Sequence, residues 1–243
     1  METVQLFVTC LIDTLQPHIG EAVYQLLRNC GCEVLFPHDQ TCCGQPAFNA
    51  GLRSEARKTA KHTIEVFEKA PGPVIIPSGS CTAMIRHGYP ELFVGDHEWY
   101  KRAKDFADRA FELTEFLVDI LGIVDLNISY PNTITYHPSC HLLRGLGIDH
   151  QPKILLKNIK QAEFIELPNQ EDCCGFGGIF SVKHPEISAE MLKRKIHNIE
   201  RTKASTVIVC DTGCIMNIAG GLHRMNKEIK VKHIAEILAT VNE

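Results

Sequence analysis

Eight of the eleven cysteines fall into an order that the chain states twice. Thr41-Cys42-Cys43-Gly44 is echoed by Asp172-Cys173-Cys174-Gly175. Cys10 stands 32 residues before Cys42 and Cys140 stands 33 before Cys173, while Cys81 follows Cys43 by 38 and Cys214 follows Cys174 by 40. The offset between copies stays at 130 to 133 residues. Self-similarity over half a chain means two copies of one supersecondary unit, so whatever the cysteines do is expected twice. Adjacent cysteines are strained disulfide partners for each other, yet in a turn both sulfurs can reach a compact multi-iron cluster. Four thiolates would also satisfy the tetrahedral preference of zinc, although structural zinc usually draws on Cys pairs about two to four residues apart, which neither half supplies. Spacing alone therefore puts iron–sulfur ligation modestly ahead of zinc.

The 243 residues suit two packed halves, and a net charge of -4 with both signs interspersed offers no basic stripe. Nucleic acid is not an expected partner. The sequence runs from Met1-Glu2-Thr3 directly into Val4-Gln5-Leu6-Phe7-Val8 with no basic leader or cleavage site. Apolar runs such as Phe116-Leu117-Val118 are broken by Asp119 and Asp125, short of the roughly 18 to 20 residues of a membrane span. The expectation is a soluble, cytoplasmic protein with no integral membrane segment. That compartment keeps thiols reduced, so an odd set of eleven cysteines favours ligation or redox chemistry over disulfides.

Positioning these thiols requires a scaffold, and the pattern predicts βαβαβ in each half. Val4–Val8 reads as a strand with Cys10 past its end; Gly20–Cys30 reads as a helix closed by Gly31. Cys32–Phe36 is a second strand leading to the Cys-Cys-Gly loop, about 52–70 is a helix burying Ala56, Ala60, Ile64 and Phe67, and Val74–Ile76 is a third strand ending near Cys81. The second half repeats this with strands at 133–136, 164–167 and 206–209 and helices at about 152–159 and from Pro185 to about Lys203. Helical periodicity over Trp99–Ala110 and Leu113–Leu121 predicts a connecting layer, and Ala235-Glu236-Ile237-Leu238 echoes Thr114-Glu115-Phe116-Leu117. The fold class is α/β: two pseudo-symmetric halves, 1–126 and 127–243, each with a small parallel sheet and helices packed on it. Parallel strands put every one of these cysteines at the strands' C-terminal edge, where open α/β sheets bind ligands and helix N-termini favour thiolates.

The motifs Phe7-Val8-Thr9-Cys10, Thr41-Cys42-Cys43-Gly44-Gln45-Pro46, Ser78-Gly79-Ser80-Cys81, Tyr136-His137-Pro138-Ser139-Cys140-His141, Cys173-Cys174-Gly175-Phe176-Gly177-Gly178 and Asp211-Thr212-Gly213-Cys214 resemble the cysteine-rich CCG-domain proteins over nearly the whole chain. Within them the chain resembles the lactate utilization protein A family, and more distantly the heterodisulfide reductase catalytic subunit and the glycolate oxidase iron–sulfur subunit. The resemblance implies up to two iron–sulfur clusters, expected as 4Fe–4S, held by Cys10, Cys42, Cys43 and Cys81 and by Cys140, Cys173, Cys174 and Cys214. It also implies electron transfer within a complex, formed with two companion proteins, that oxidises L-lactate to pyruvate. A cluster-based disulfide reductase and a zinc-stabilised scaffold are the alternatives. The heterodisulfide reductase pattern has a fifth thiolate in each unit where this chain has Ser78 and Asp211, which weighs against disulfide cleavage.

Cys30 and Cys32 flank a cap glycine and are expected in the core. Cys210, one residue past the third strand, is expected to point away from the ligand edge. His137 and His141 bracket Cys140 and are expected to be hydrogen-bonded structural histidines, with tuning of a cluster as the functional alternative. Gly175, Gly177 and Gly178 lack the spacing of a nucleotide loop. Arg144 is expected on the surface. No flavin or nicotinamide fingerprint is present, and no residue is assigned a catalytic role.

Overall fold

The structure, a computed structural model, describes residues 2–240. It divides into two compact units, Met1–Phe116 and Leu117–Glu243, each built on a four-stranded, wholly parallel sheet. Among the described residues no helix is long and apolar enough to cross a membrane.

In the first unit β1 (Thr3–Leu6), β2 (Glu33–Leu35), β3 (Val74–Ile76) and β4 (Ala110–Glu112) lie in the order β2-β1-β3-β4. Val4 faces Val34, Leu6 faces Ile75, and Ile75 faces Phe111. Parallel neighbours need long crossovers, which carry the helices Pro17–Asn29, Arg53–Phe67 and His97–Ala107. With both faces covered, β3 is apolar at every position and fully buried. The helix Arg53–Phe67 buries Ala56, Ala60, Ile64 and Phe67 along one stripe. Carbonyls left open beyond its last turn accept from the Gln5 amide (Phe67 O 3.1 Å, Ala70 O 2.8 Å) and from Arg109 (Phe67 O 3.0 Å, Ala70 O 3.1 Å). Phe7, Phe67, Phe106 and Tyr89 pack ring to ring at 5.2, 5.7 and 6.1 Å between successive centroids.

The second unit repeats the topology with β5 (Thr133–His137), β6 (Glu163–Ile165), β7 (Thr206–Val209) and β8 (Lys230–His233) in the order β6-β5-β7-β8. Its crossovers carry the helices His150–Lys157, Pro185–Thr202 and Thr212–Arg224. Pro185 sits in the first turn of its helix, where its missing N–H costs nothing.

The α/β class and the repeated halves agree with the sequence pattern. The fourth strand of each sheet departs from it, making each unit one strand larger than βαβαβ. Helical periodicity expected to run to Ala110 stops at Ala107, and Ala110-Phe111-Glu112 pairs instead with β3. Three residues are too few to show a strand period, and the pairing partner decides. Lys230-Val231-Lys232-His233 is too polar to read as a strand and is tolerated because it lies at the sheet edge. The echo near the end of each half marks the turn that follows this strand. Glu112 with Glu115, and His233 with Glu236, form matching capping boxes at the starts of the short helices Leu113–Glu115 and Ile234–Leu238.

Candidate metal centre

In both sheets the chain order reverses about the first strand, so a crevice opens beyond the C-terminal ends of β1 and β3, and likewise of β5 and β7. In the first unit Cys10 opens the short helix Cys10–Leu15 after β1. Gln40 ties the loop after β2 to this strand end, accepting from Val8 N–H at 2.9 Å and donating to Leu6 O at 3.1 Å. The tie brings Cys42 to Cys10, with 3.5 Å between sulfurs. Gly44, at φ +83°, turns the chain immediately after the pair. Cys43 is buried against Cys81, 3.3 Å between sulfurs. Cys81 lies in the first turn of the helix Gly79–Ala83, and its N–H donates to the Ser78 hydroxyl at 3.3 Å. Ser78 therefore serves as the helix cap at the position where the related pattern has a fifth thiolate.

In the second unit Cys140 follows β5, with His141 Nδ1 3.7 Å from its sulfur, and it hydrogen-bonds Cys173. Arg144 is exposed and also reaches the Cys140 sulfur. Cys174 and Cys214 stand 3.3 Å apart, and Gly175 N–H donates to the Cys173 sulfur at 3.3 Å. Asp211 caps the helix bearing Cys214, accepting from Gly213 N–H at 3.1 Å. Asn217 donates to Cys174 O at 2.8 Å, and Lys195 donates to Asn169 O and Gln170 O at 3.1 and 3.2 Å, fixing the loop from two sides. Gly175 has φ +88°, and a Cβ there would meet Ser188 O at 2.5 Å, so the helix Pro185–Thr202 seats directly on the Cys-Cys-Gly turn.

Crowding divides the thiols by acidity. Hydrogen bonds from Cys10, then Cys43, with further help from the Gly44 and Cys43 N–H groups, hold Cys42 down at about 3. Cys140, then Cys174, with Gly175 N–H, hold Cys173 at about 2. The donors pay the converse: Cys10 and Cys43 are pushed up by their bonds to Cys42, and Cys140 and Cys174 by theirs to Cys173, with burial adding to each. Each unit thus gathers four soft sulfur donors of which several keep their protons until a cation takes up the charge. That donor set fits a thiolate-bound metal or iron–sulfur group.

All eight predicted ligand cysteines lie in these two sets. Cys30 and Cys32 sit at the start of β2, the opposite end of the strand from Cys42, and burial pushes Cys30 up to about 11. Cys210 is fully buried and accepts from the Tyr136 hydroxyl at 3.6 Å. His137 differs from the expectation of a hydrogen-bonded structural histidine. It is fully buried at the end of β5, neither ring nitrogen has a hydrogen-bond partner, and it lies with the Cys174 and Cys214 sulfurs, ligand atoms all within 4.8 Å. Burial, then the nearby Lys195, lowers its pKa to about 3, leaving the imidazole neutral. Its place beside Cys140 was visible in the sequence, but the lack of partners comes only from packing.

Against families of known proteins, the model described as a cysteine-rich domain, CCG, matches residues 4–86 and again 134–219. A lactate utilization protein A from Oceanobacillus iheyensis is 48% identical over 240 residues, covering 99% of this chain and 98% of that protein. Proteins of the same name from an Exiguobacterium and a Geobacillus are 49% and 50% identical over 239 and 235 residues, covering 98% and 97% of this chain and 97% and 98% of theirs. Among solved structures, a putative Asp/Glu racemase from Yersinia pestis aligns at a TM-score of 0.40 with 11% identity, covering 98% of this chain and 96% of that one. That likeness is too weak to carry an argument.

Proposed function

The chain belongs to the lactate utilization protein A family, with the CCG cysteine-rich domain present twice, and from that membership we propose that it is the iron–sulfur electron-transfer subunit of a cytoplasmic complex oxidising L-lactate to pyruvate. The observation that carries the reading is the convergence of four thiols at one sheet edge in each unit, with sulfurs 3.3 to 3.5 Å apart where they touch. Cys10, Cys42, Cys43 and Cys81 would hold one group, and Cys140, Cys173, Cys174 and Cys214 the other. A 4Fe–4S cluster, when bound, takes up and gives back single electrons. The protein's part is to present the thiolates from rigid strand ends, with Gly44 and Gly175 turning each Cys-Cys pair inward and the capped helices aiming Cys81 and Cys214.

The sequence carries no flavin or nicotinamide fingerprint, so hydride acceptance from lactate is assigned to two companion proteins. Ser78 and Asp211 are engaged as helix caps, which argues against a fifth thiolate and disulfide-reductase chemistry. One observation favours a zinc scaffold as the second reading. Sulfurs around a single zinc ion lie about 3.8 Å apart, the edge of a tetrahedron with Zn–S of about 2.3 Å, whereas a multi-iron cluster needs its thiolates splayed further.

Anaerobic purification followed by iron, zinc and acid-labile sulfide determination tests the proposal. Iron and sulfide for up to two clusters are expected, with a visible absorption that bleaches on reduction; stoichiometric zinc without sulfide refutes it. Steady conversion of lactate to pyruvate by the isolated chain with an artificial acceptor would overturn the subunit role.

A further inference from the structure

The repeat is not chemically symmetric around its thiols. Three residues before Cys10 stands Phe7, packed on Phe67 with ring centroids 5.2 Å apart; three before Cys140 stands His137. Both are fully buried at the end of the first strand of their sheet. The long helix differs in step. Thr63, which donates to Thr59 O at 3.1 Å, takes the place on the first unit's helix that Lys195 takes on the second's. At these two matching places the first unit thus has an aromatic ring and a hydroxyl, and the second an imidazole and an ammonium group.

A fully buried imidazole with neither nitrogen hydrogen-bonded is a costly thing to keep unless a ligand satisfies it. His137 Nδ1 or Nε2, Cys174 Sγ and Cys214 Sγ already lie within 4.8 Å of one another. Asp211, at the fifth-thiolate position of the related pattern, is turned to its own helix end. We propose that His137 is a nitrogen ligand of the second unit's metal group, so that the chain carries one all-sulfur centre and one mixed sulfur–imidazole centre. This rests on the reading above that the cysteines hold such groups. The four thiolates already assigned to that group stay in place, and the imidazole adds a neutral nitrogen on the side of Cys174 and Cys214.

The test uses the full chain labelled with 15N-histidine, loaded anaerobically with iron and sulfide, and read by pulsed EPR of the reduced state. A directly bonded histidine-nitrogen coupling is expected in the native protein, changing with the isotope. It should vanish in His137→Phe, which installs the first unit's own residue, while iron and sulfide content is kept by the four thiolates. Native protein with both centres loaded but no such coupling overturns the proposal, whatever the variant does. Zinc uptake without sulfide would instead fail the iron–sulfur reading. X-ray absorption at the zinc edge then decides this one: a mixed sulfur–nitrogen shell that becomes all sulfur in His137→Phe upholds it, and an all-sulfur native shell overturns it. Uptake of neither metal overturns both.

Discussion

Three glycines in the same backbone conformation make a graded test of how tightly the Cys-Cys-Gly turn is built. Gly31, Gly44 and Gly175 have φ of +83°, +83° and +88°, so alanine at each meets the same left-handed strain, roughly 1–2 kcal/mol. They differ in room. A Cβ on Gly31 meets nothing within 4 Å, one on Gly44 meets the Thr59 side chain at 3.3 Å, and one on Gly175 meets Ser188 O at 2.5 Å. The last contact is with backbone, itself fixed because the Ser188 hydroxyl donates to Gly175 O at 2.7 Å. Forcing it apart adds about 1–3 kcal/mol of overpacking. Urea unfolding of the metal-free variants should therefore rank Gly31→Ala below Gly44→Ala below Gly175→Ala, with totals for the extremes of about 1–2 and about 2–5 kcal/mol. Gly175 N–H donates to the Cys173 sulfur, so Gly175→Ala should also lose metal from the second unit while the first keeps its own. Equal costs for Gly31→Ala and Gly175→Ala, or undiminished metal in the latter, would refute the claim that helix Pro185–Thr202 braces the turn.

The remaining predictions address ligation and charge. Cys43→Ser and Cys174→Ser should each cost one unit its iron, whereas Cys30→Ser should keep both complements and lower stability by about 1 kcal/mol or less; iron-to-protein ratios and low-temperature EPR of the three variants check it, and full retention in either of the first two would sink the ligand assignment. Glu112 is buried, and burial pushes its pKa from 4.5 up to about 7 despite the bonds it accepts from Thr114 and Glu115. Its carboxyl keeps its proton in the folded state where the unfolded chain has lost it, so its contribution to stability falls as pH rises from about 4.5 to about 7 and levels off above. Glu112→Gln cannot ionise, and its stability relative to the native protein should rise by about 2–4 kcal/mol across that window; parallel pH profiles of unfolding free energy would refute this.

The amino-acid order alone determined that there are two units, that each is α/β with its cysteines at one edge, and which eight cysteines gather. Alternating strand and helix periods force parallel strands, and parallel strands put every loop that follows a strand on the same side, so thiols distant in sequence had one place to meet. It could not show β4 and β8, because strands as short as Ala110-Phe111-Glu112 and as polar as Lys230-Val231-Lys232-His233 are set by the neighbour they pair with. Nor could it tell Ser78 and Asp211 the helix caps from open ligand positions, since a cap exists only once the turn has formed. His137 is the clearest case. A histidine beside a cysteine reads alike whether hydrogen-bonded or bare, and only close packing around β5 decided that neither nitrogen has a hydrogen-bond partner and that the ring lies with the Cys174 and Cys214 sulfurs. Local order chose the elements and the thiols; burial, which sums contributions from segments far apart in the chain, decided what surrounds them.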